Sequence, residues 1–269
     1  MNSKKENKLT EIIKELDSAV IGLSGGVDST LITKFCIDCL GPENVWAATG
    51  DSKSIPAEEL EYCRKIADEL NLPEGHFKLI ATDELDNPDY AANPENRCYF
   101  CKQELFGKLA EYAKEVGAKH IVDGSNASDL NDYRPGRRAG KELQVRSPFA
   151  EAGINKDDIR TLAKKLGLPN WDKPSMPCLS SRIPYNSPVT PEKLEQIAAA
   201  EKYLRELGFK QFRVRHHGQI ARLEIDDFNL ILKNGLRNKI NSELKKLGFD
   251  YIAIDLGGFR SGNLNINIR

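Results

Sequence analysis

The sequence predicts an α/β fold, a parallel sheet with helices on both faces, followed by a smaller C-terminal α+β domain. In the first half of the chain, short β-rich runs alternate with helical patterns, which is typical of parallel sheets. In the second half, two apolar runs on either side of His217-Gly218 indicate paired strands between helices. A length of 269 residues is comfortable for two domains.

The predicted elements of the first domain follow one another as strand and helix. Strands are predicted at 19–23, 45–48, 77–80 and 120–122, and helices at 29–40, 57–70, 102–116 and 155–166. Ligands of such sheets bind beyond the carboxyl ends of the strands. Residues 24–30, 49–51 and 124–126 follow predicted strands, so we expect a site there.

A proline-dense segment separates the two predicted domains. We predict a first domain over 1–168, a stiff active-site connector over 169–190 and a C-terminal substrate or oligomerisation domain over 191–269. The connector prolines are Pro169, Pro174, Pro177, Pro184 and Pro188. In the C-terminal domain, Thr190-Pro191 marks a helix start. Helices are predicted there at 192–207 and 229–247, and strands at 212–215, 220–225 and 251–256.

Composition limits the classes of partner. The 39 basic and 40 acidic residues give a net charge of −1, which does not indicate a nucleic-acid partner. No apolar run approaches the roughly 18 residues of a membrane span, and the lysine-rich N-terminal segment lacks the apolar core of a signal peptide. We therefore expect a cytoplasmic protein. In such a reducing compartment, metal or catalytic roles of the six cysteines are favoured over disulfides.

The segment Ser24-Gly25-Gly26-Val27-Asp28-Ser29-Thr30 lies between a predicted strand and a predicted helix. Its glycines allow close approach of a ligand to the backbone, and the helix N-terminus adds partial positive charge. The segment lacks the closing Gly-Lys-Ser/Thr of a Walker loop, and the chain has no GxGxxG. We predict a polyphosphate-binding turn of another type.

Three of the cysteines belong to apolar helical stripes. Cys36 and Cys39 align with Leu31 and Phe35, and Cys63 aligns with Leu60, Ile66 and Leu70. We expect these three thiols to pack in the core.

The other three cysteines have polar surroundings. Cys98-x-x-Cys101 lies at a helix start between Arg97 and Lys102, where a thiolate is favoured, although Cys101 also begins an apolar stripe. Cys178 lies on the polar, proline-rich connector. Three thiols are too few for a closed Cys₄ zinc site, but they suffice for a [4Fe–4S] cluster with one open iron that could carry an extra sulfide.

Motifs along most of the chain resemble one family. The SGGxDS motif resembles the PP-loop ATP pyrophosphatases, with an adenine nucleotide alpha-hydrolase-like fold. The combination resembles LarE, the sulfur transferase of nickel-pincer (lactate racemase) cofactor biosynthesis. The matching segments are 24–30, 96–102, 123–129, 132–136, 177–182, 212–215 and 260–262.

The resemblance implies that ATP adenylates the carboxylates of pyridinium-3,5-biscarboxylic acid mononucleotide and that sulfur then replaces oxygen. AMP and pyrophosphate would be released, and several subunits would form a homo-oligomer. In one branch of the family a single cysteine gives up its own sulfur. In another, three cysteines hold a [4Fe–4S] cluster that supplies sulfide. Cys98, Cys101 and Cys178 match the second branch, and a sacrificial Cys178 is the alternative.

The ATP site is expected at the glycine segment, which would hold the phosphates through Ser24, Gly25, Gly26, Asp28, Ser29 and Thr30. Asp28 is predicted to bind Mg²⁺, because a carboxylate and a polyphosphate repel each other unless a hard cation bridges them. In the alternative interpretation, the Asp28 carboxylate only stabilises the helix N-terminus through the helix dipole. Ala48 and Ser54 are expected to contact adenine or ribose, and Gly124 to line the nucleotide cleft.

The substrate site is expected at two polar segments and one strand. Asp129, Asp132 and Arg134 lie in a polar loop, which is otherwise a solvated surface. Ser181 and Arg182 follow Cys178, and Arg182 is expected to hold a substrate phosphate or the adenylate.

Arg213 and Arg215 share one strand face by period two and form a fork suited to a phosphate monoester. A charged, exposed strand face is the alternative. The adjacent His216 and His217 point to opposite faces, so no shared role is assigned to them.

Three other functions remain open at this stage. A tRNA thiolase would need an RNA-binding surface, which the net charge of −1 disfavours. An ammonia-using ligase of the NAD synthase type would not need Cys98, Cys101 and Cys178. A nucleotide-binding regulatory module with a zinc-stabilised loop would bind ATP without releasing pyrophosphate.

Overall fold

The computed structural model of the chain describes residues 3–131, 135–174, 176–233, 235–260 and 262–264. The chain forms two compact units, the first from 1–84 and 96–176, and the second from 85–95 and 177–269. The division at 176/177 falls inside the predicted connector 169–190. None of the described helices is both long and apolar enough to cross a bilayer.

The elements follow in chain order. The strands are β1 (Ala19–Gly22), β2 (Val45–Asp51), β3 (Phe77–Ala81), β4 (His120–Val122), β5 (Phe212–His217), β6 (Ile220–Ile225) and β7 (Tyr251–Ile254). The α-helices are α1 (Ser3–Lys14), α2 (Val27–Leu40), α3 (Ala57–Glu69), α4 (Pro88–Ala91), α5 (Arg97–Val116), α6 (Gly136–Glu142), α7 (Pro148–Glu151), α8 (Lys156–Lys165), α9 (Pro191–Glu206), α10 (Phe228–Leu232) and α11 (Leu236–Lys246). Short 3₁₀ turns span Pro42–Asn44, Glu84–Asp86, Ala127–Asn131 and Leu179–Arg182.

The first unit contains a parallel sheet in the order β3-β2-β1-β4. Alternate residues of β1 enter different cores: Ala19 and Ile21 pack with α1, α2 and α8, whereas Val20 packs with Phe106 and Leu109 of α5. Both faces of the sheet are therefore covered, which confirms the predicted fold class and brings the strand ends to one edge.

The second unit contains a mixed sheet in the order β5-β6-β7, in which β5 and β6 are antiparallel and β6 and β7 are parallel. Phe212, Val214, Leu223 and Ile225 face a core with α9 and α11. The charged residues of β5 and β6 consequently share the opposite face. The predicted strand pair around His217-Gly218 is confirmed.

Residues 85–95 belong to the second unit through contacts distant in sequence. The Asn93 side-chain amide donates to the carbonyl oxygens of Pro184 and Ser187 at 2.8 and 2.9 Å. Nothing local in the sequence marks these partners.

The predicted helices differ from the structure at three places. The single helix predicted over 229–247 is two helices, because Gly235 has a φ of 70° and caps the start of α11. Helix α1 was missed because its apolar positions, including the buried Leu9 and Ile13, lie among lysines and glutamates. Helix α5 begins at Arg97, five residues earlier than predicted, so Cys98 and Cys101 both lie on it.

Candidate active site

The glycine segment forms a tight turn between β1 and α2. Gly25 has a φ of 68°, and a Cβ there would lie 3.1 Å from Sγ of Cys63. The Ser29 hydroxyl accepts from the Ser24 backbone N–H at 3.1 Å and donates to the Gly26 carbonyl at 3.0 Å. These contacts fix the turn with its backbone close to the N-terminus of α2, where an anion is favoured.

Gly124, after β4, allows this turn to approach the neighbouring strand end. A Cβ on Gly124 would lie 2.8 Å from the backbone N of Ser29 and 2.9 Å from the carbonyl carbon of Asp28. Because both atoms belong to the backbone, they cannot move aside as a flexible side chain would. Gly124 therefore allows the close spacing between β4 and α2.

Asn170 holds the turn from behind, and sequence reasoning missed it. Its buried amide donates to the Gly25 carbonyl at 3.1 Å and to the Thr30 hydroxyl at 2.8 Å. Thr30 is itself fully buried, so its hydroxyl supports the turn instead of facing the cavity described next.

A cavity of about 200 Å³, here called the loop cavity, lies at the turn. It is lined by Ser24, Gly25, Gly26, Val27, Asp28, Ser29, Glu59, Lys156, Arg160, Lys173, Pro174 and Met176. Its three cations are Lys156, Arg160 and Lys173, none of which sequence reasoning singled out. Lys156 and Arg160 lie four residues apart on α8, which places both cations on one face of the helix. This spacing was the sequence signal that could have identified them.

Two ion pairs border the loop cavity. The Lys156 ammonium lies 2.5 Å from an Asp28 carboxylate oxygen. The Lys173 ammonium lies 2.7 Å from Glu59 and 3.7 Å from the centre of the Tyr62 ring. Three cations against two carboxylates, together with the helix N-terminus, make the loop cavity suited to a polyphosphate.

The predicted adenine or ribose contacts lie in other surroundings. Ala48 is 1% exposed and packs in the core beside α5. Ser54 is buried, and its hydroxyl donates to Glu84 at 3.3 Å while its backbone N–H donates to Ser52 Oγ at 2.9 Å. Neither residue lines the loop cavity as the structure describes it.

The polar loop after β4 is partly organised by its own carboxylate. Asp129 is buried, and one of its oxygens accepts from the Asn126 backbone N–H at 3.0 Å. The Asn126 side chain reaches Asp28 at 3.5 Å. Asp132 and Arg134 lie outside the described residues.

The six cysteines are free thiols. Cys36 and Cys63 are buried, and burial raises the pKa of both thiols. Cys39 is half-buried against the same core. The predicted packing role of these three is confirmed.

The remaining thiols are divided between the units. Cys98 is exposed and Cys101 half-buried, both near the start of α5, whereas the half-buried Cys178 belongs to the second unit. Inside either unit, the described residues contain no group of three His, Cys, Asp or Glu side chains assembled for a metal ion.

Arg182 is locked into the second unit. Its guanidinium makes two bonds of 2.8 Å to the carboxylate of Glu201, and both residues are almost fully buried. It also donates to the carbonyls of Pro177 and Cys178 at 2.6 and 3.2 Å and to Ser181 Oγ at 2.9 Å. The sequence predicted that Arg182 holds a substrate phosphate or the adenylate; in the structure its guanidinium instead fastens the Cys178 loop to α9.

Arg213 and Arg215 share one face of β5, as predicted, but this face is buried rather than solvated. Arg215 donates to Glu224 at 2.9 Å and to the Ser181 carbonyl at 2.6 Å. Arg213 stacks over the ring of Phe259 at 5.0 Å.

We call Arg182, Arg213, Arg215, Glu201 and Glu224 the arginine cluster. Burial and the nearby Arg182 lower the pKa of Arg213 to about 10, so the group is still charged at neutral pH. The Nε of Arg215 is buried without a hydrogen-bond partner among the described residues. Buried cationic groups of this kind favour an anionic ligand.

A parallel α/β sheet with a glycine turn and a cation-lined cavity at its strand ends defines a nucleotide-using enzyme of the PP-loop class. The NAD synthase family matches residues 3–94, which include the glycine turn. The chain is 45% identical to an uncharacterized protein of Synechocystis sp., over 98% of both chains. It is 31% identical to an uncharacterized protein of Methanocaldococcus jannaschii, over 96% of both chains.

A third relative carries a functional name. The pyridinium-3,5-bisthiocarboxylic acid mononucleotide synthase of Lactiplantibacillus plantarum is 38% identical over 97% of this chain and 94% of its own. The chain belongs to the family of this synthase, the LarE family of ATP-dependent sulfurtransferases.

Proposed function

We propose that this enzyme uses ATP to convert the carboxylates of pyridinium-3,5-biscarboxylic acid mononucleotide into thiocarboxylates, a step in nickel-pincer cofactor biosynthesis that serves lactate racemase maturation. The loop cavity is the observation that carries the proposal, because its glycine turn and cations suit a triphosphate. The name of the Lactiplantibacillus plantarum relative supports the choice of acceptor.

The reaction has two steps, adenylation and sulfur transfer. A substrate carboxylate oxygen attacks the α-phosphorus of ATP, the bond to the β-phosphate oxygen breaks, and pyrophosphate leaves. A sulfur nucleophile then attacks the acyl carbon of the adenylate, and AMP leaves with the electron pair of the C–O bond. Ser24, Gly25, Gly26 and Ser29 would contact the phosphates, and Lys156 supplies positive charge at the same cavity.

Asp28 fits the role of a magnesium ligand. Its carboxylate lines the loop cavity at the first turn of α2, and hard oxygen donors suit Mg²⁺. The bound ion would neutralise phosphate charge as pyrophosphate leaves. Asn126 contacts the same carboxylate and would orient it.

Within the arginine cluster, Arg213 and Arg215 would bind the phosphate of the mononucleotide. Burial destabilises the charged form of Arg213, so an anion beside it would restore the pKa that burial lowers. Arg182 would act by position, because its bonds to Pro177 and Cys178 hold the cysteine loop. Asp129 and Arg134 stay candidates for further substrate contacts.

Cys98, Cys101 and Cys178 fit a [4Fe–4S] site by their donor chemistry, since all are free thiols outside the fully buried core. When bound, the cluster would supply the sulfide that becomes the product sulfur. Cys98 and Cys101 lie three residues apart near the start of one helix, which places both thiols on one side of it.

An alternative sulfur source is Cys178 itself. Its thiolate would attack the adenylate and expel AMP, and β-elimination would then release the thiocarboxylate and leave dehydroalanine. The two versions use the same activation step and differ in what happens to the chain.

Anaerobic turnover with ATP and the biscarboxylate mononucleotide, followed by intact mass of the protein, tests the proposal. We expect thiocarboxylate, AMP and pyrophosphate from a chain of unchanged mass, and loss of reconstituted iron in Cys98→Ser, Cys101→Ser and Cys178→Ser. Loss of the elements of H₂S from the chain would instead identify Cys178 as the donor.

Cys39→Ser is the matched control. Cys36 and Cys39 have the same spacing as Cys98 and Cys101 but pack in the core, so this variant should keep both iron and turnover. Amide formation from ammonia that does not depend on Cys98, Cys101 and Cys178 would contradict the sulfur-transfer proposal.

We also propose a homo-oligomer. The second unit exposes Leu232, Tyr251 and Leu256 by 75, 67 and 92%, and burying such apolar side chains against another copy would stabilise an oligomer. Light scattering after size exclusion should give several chain masses, and a single chain mass of 30.1 kDa would contradict it.

A further inference from the structure

Lys156 stands out among the cavity residues because its ion pair is not needed to hold its helix. The N-terminus of α8 is already fixed by a capping box between Asn155 and Asp158. Asp158 also pairs with Lys5 of α1 at 2.7 Å, which ties α8 to another helix. The contact of Lys156 with Asp28 therefore adds little to the placement of α8.

The partner of Lys156 is a residue that a bound nucleotide would engage. Asp28 lies on the first turn of α2, inside the loop cavity, and Lys156 meets it from a position 128 residues further along the chain. The two side chains are 26 and 37% exposed, so water and ligands reach the pair. A partly exposed ion pair is weak and can exchange partners at small cost.

Each carboxylate of the loop cavity neutralises one of its lysines. Asp28 pairs with Lys156 and Glu59 pairs with Lys173, so the attraction of the cavity for phosphate is reduced while these pairs persist. Only the Asp28 pair includes a predicted magnesium ligand, so its lysine is the one that metal binding would release.

We propose that Lys156 is a pyrophosphate-binding residue that Asp28 holds in place until nucleotide and metal arrive. This inference rests on the proposed function and deepens it. When the polyphosphate enters with magnesium, Asp28 turns to the metal and Lys156 transfers its hydrogen bond to a phosphate oxygen. No covalent bond changes in this exchange, which only replaces one charge-assisted contact by another.

The exchange predicts that the charge of Asp28 affects anion affinity in opposite directions without and with metal. Without metal, Asp28 competes with phosphate for Lys156, so removing its charge should strengthen anion binding. With metal, Asp28 assists, so the same substitution should weaken binding. The strengthening should require Lys156, whereas a simple loss of negative charge would strengthen binding whatever residue stands at 156.

Calorimetric titration with inorganic pyrophosphate, with and without Mg²⁺, tests this without turnover. Lys156→Gln should weaken binding about tenfold in both conditions, because one charge-assisted contact is lost. Asp28→Asn should tighten metal-free binding roughly fivefold and weaken binding in Mg²⁺ by at least that factor. In the Lys156→Gln background, Asp28→Asn should leave metal-free affinity unchanged.

Lys5→Gln is the matched control, since it breaks the other lysine–aspartate pair of α8 away from the cavity; it should lower thermal stability and leave pyrophosphate affinity alone. Lys156→Arg keeps the charge and should stay within about threefold of the parent affinity. Tightening by Asp28→Asn that persists in Lys156→Gln, or unchanged affinity in Lys156→Gln, would overturn the inference. Failure of the unaltered protein to bind pyrophosphate with Mg²⁺ would instead contradict the proposed function.

Discussion

The loop cavity of the first unit and the arginine cluster of the second both set cations against carboxylates, yet they differ in their access to water. Asp28 and Lys156 are 26 and 37% exposed, whereas Arg182 and Glu201 are 1 and 3% exposed. The first contact is one lysine on one oxygen, and the second is a two-bond guanidinium–carboxylate pair.

This difference separates an exchangeable contact from a permanent one. An exposed pair contributes roughly 0–1 kcal/mol, so a phosphate can displace it. A buried pair that loses one partner leaves an unpaired charge in the interior, so it stays closed. The first unit thus has a cavity whose ion pairs can open, and the second has a cluster that fixes the loop of Cys178.

Glu201→Ala is expected to have the largest effect and tests whether the Arg182–Glu201 pair of the cluster is structural. Arg182 would stay buried without its carboxylate, so the free energy of unfolding should fall by about 3–5 kcal/mol in urea titrations followed by circular dichroism. Glu243→Ala removes an exposed pair with Lys246 in the same unit and should cost less than about 1 kcal/mol. Equal losses of unfolding free energy in the two variants would contradict the distinction between the buried and the exposed ion pair.

Arg213→Gln sharpens the comparison by separating substrate from nucleotide. Loss of a buried guanidinium from the proposed phosphate site should raise KM for the mononucleotide about 10- to 100-fold, and pyrophosphate affinity should not change. Lys210→Gln, which removes an exposed charge just before β5, should alter neither quantity. An unchanged KM in Arg213→Gln would remove this residue from the substrate site.

Gly124→Ala tests the loop cavity through its backbone. The new Cβ would meet the backbone of Asp28 and Ser29, so unfolding free energy should fall by about 1–3 kcal/mol and pyrophosphate affinity about tenfold. Gly107→Ala in α5 meets nothing within 4 Å and should instead raise stability by about 0.5–1 kcal/mol. Intact pyrophosphate binding in Gly124→Ala would show that the approach of β4 to α2 is not required.

The smallest effect is expected from acid, and it should act through the second unit. Burial lowers the pKa of His216, whose Nε2 contacts Gln196 at 2.9 Å, below the ordinary 6.5. The unfolded chain then binds more protons than the folded one, so stability is full above about pH 6.5 and falls as pH drops through the folded pKa. Burial lowers the pKa of His217 in the same direction.

Urea titrations between about pH 7.5 and 5 measure this loss. His216→Gln removes one titrating group and should flatten the dependence, whereas His120→Gln in the first unit should keep it. An equally steep dependence in His216→Gln would exclude His216 as its source.

Several features of the fold could be predicted because their signals are local. The alternation of β1 to β4 with helices, the glycine turn between β1 and α2 and the helical stripe that buries Cys36 depend on periodicity and turn chemistry within a few residues. The division of 229–247 into two helices was missed because a glycine inside a helical pattern is compatible with either outcome.

Only part of the candidate site could be predicted from the sequence, because only part of it lies in one local motif. Ser24, Gly25, Gly26, Asp28 and Ser29 form one continuous motif and do line the loop cavity. Lys156 and Lys173 line it from more than a hundred residues further along the chain, and Asn170 supports the turn from a similar distance. No local pattern marks Lys173 or Asn170, and the four-residue spacing to Arg160 was the one local signal for Lys156. The ion pair of Arg182 was missed because its partner Glu201 lies on a separate helix, 19 residues further along the chain.

The sequence by itself determined the α/β class, the glycine turn and the separation of core cysteines from polar ones, because each depends on short-range spacing. Only the tertiary structure decided which carboxylate faces which cation. Burial then assigned their roles: Asp28 meets Lys156 where water can enter, and Glu201 meets Arg182 where it cannot. Charges that look alike along the chain differ in function because the surrounding packing sets the cost of separating them.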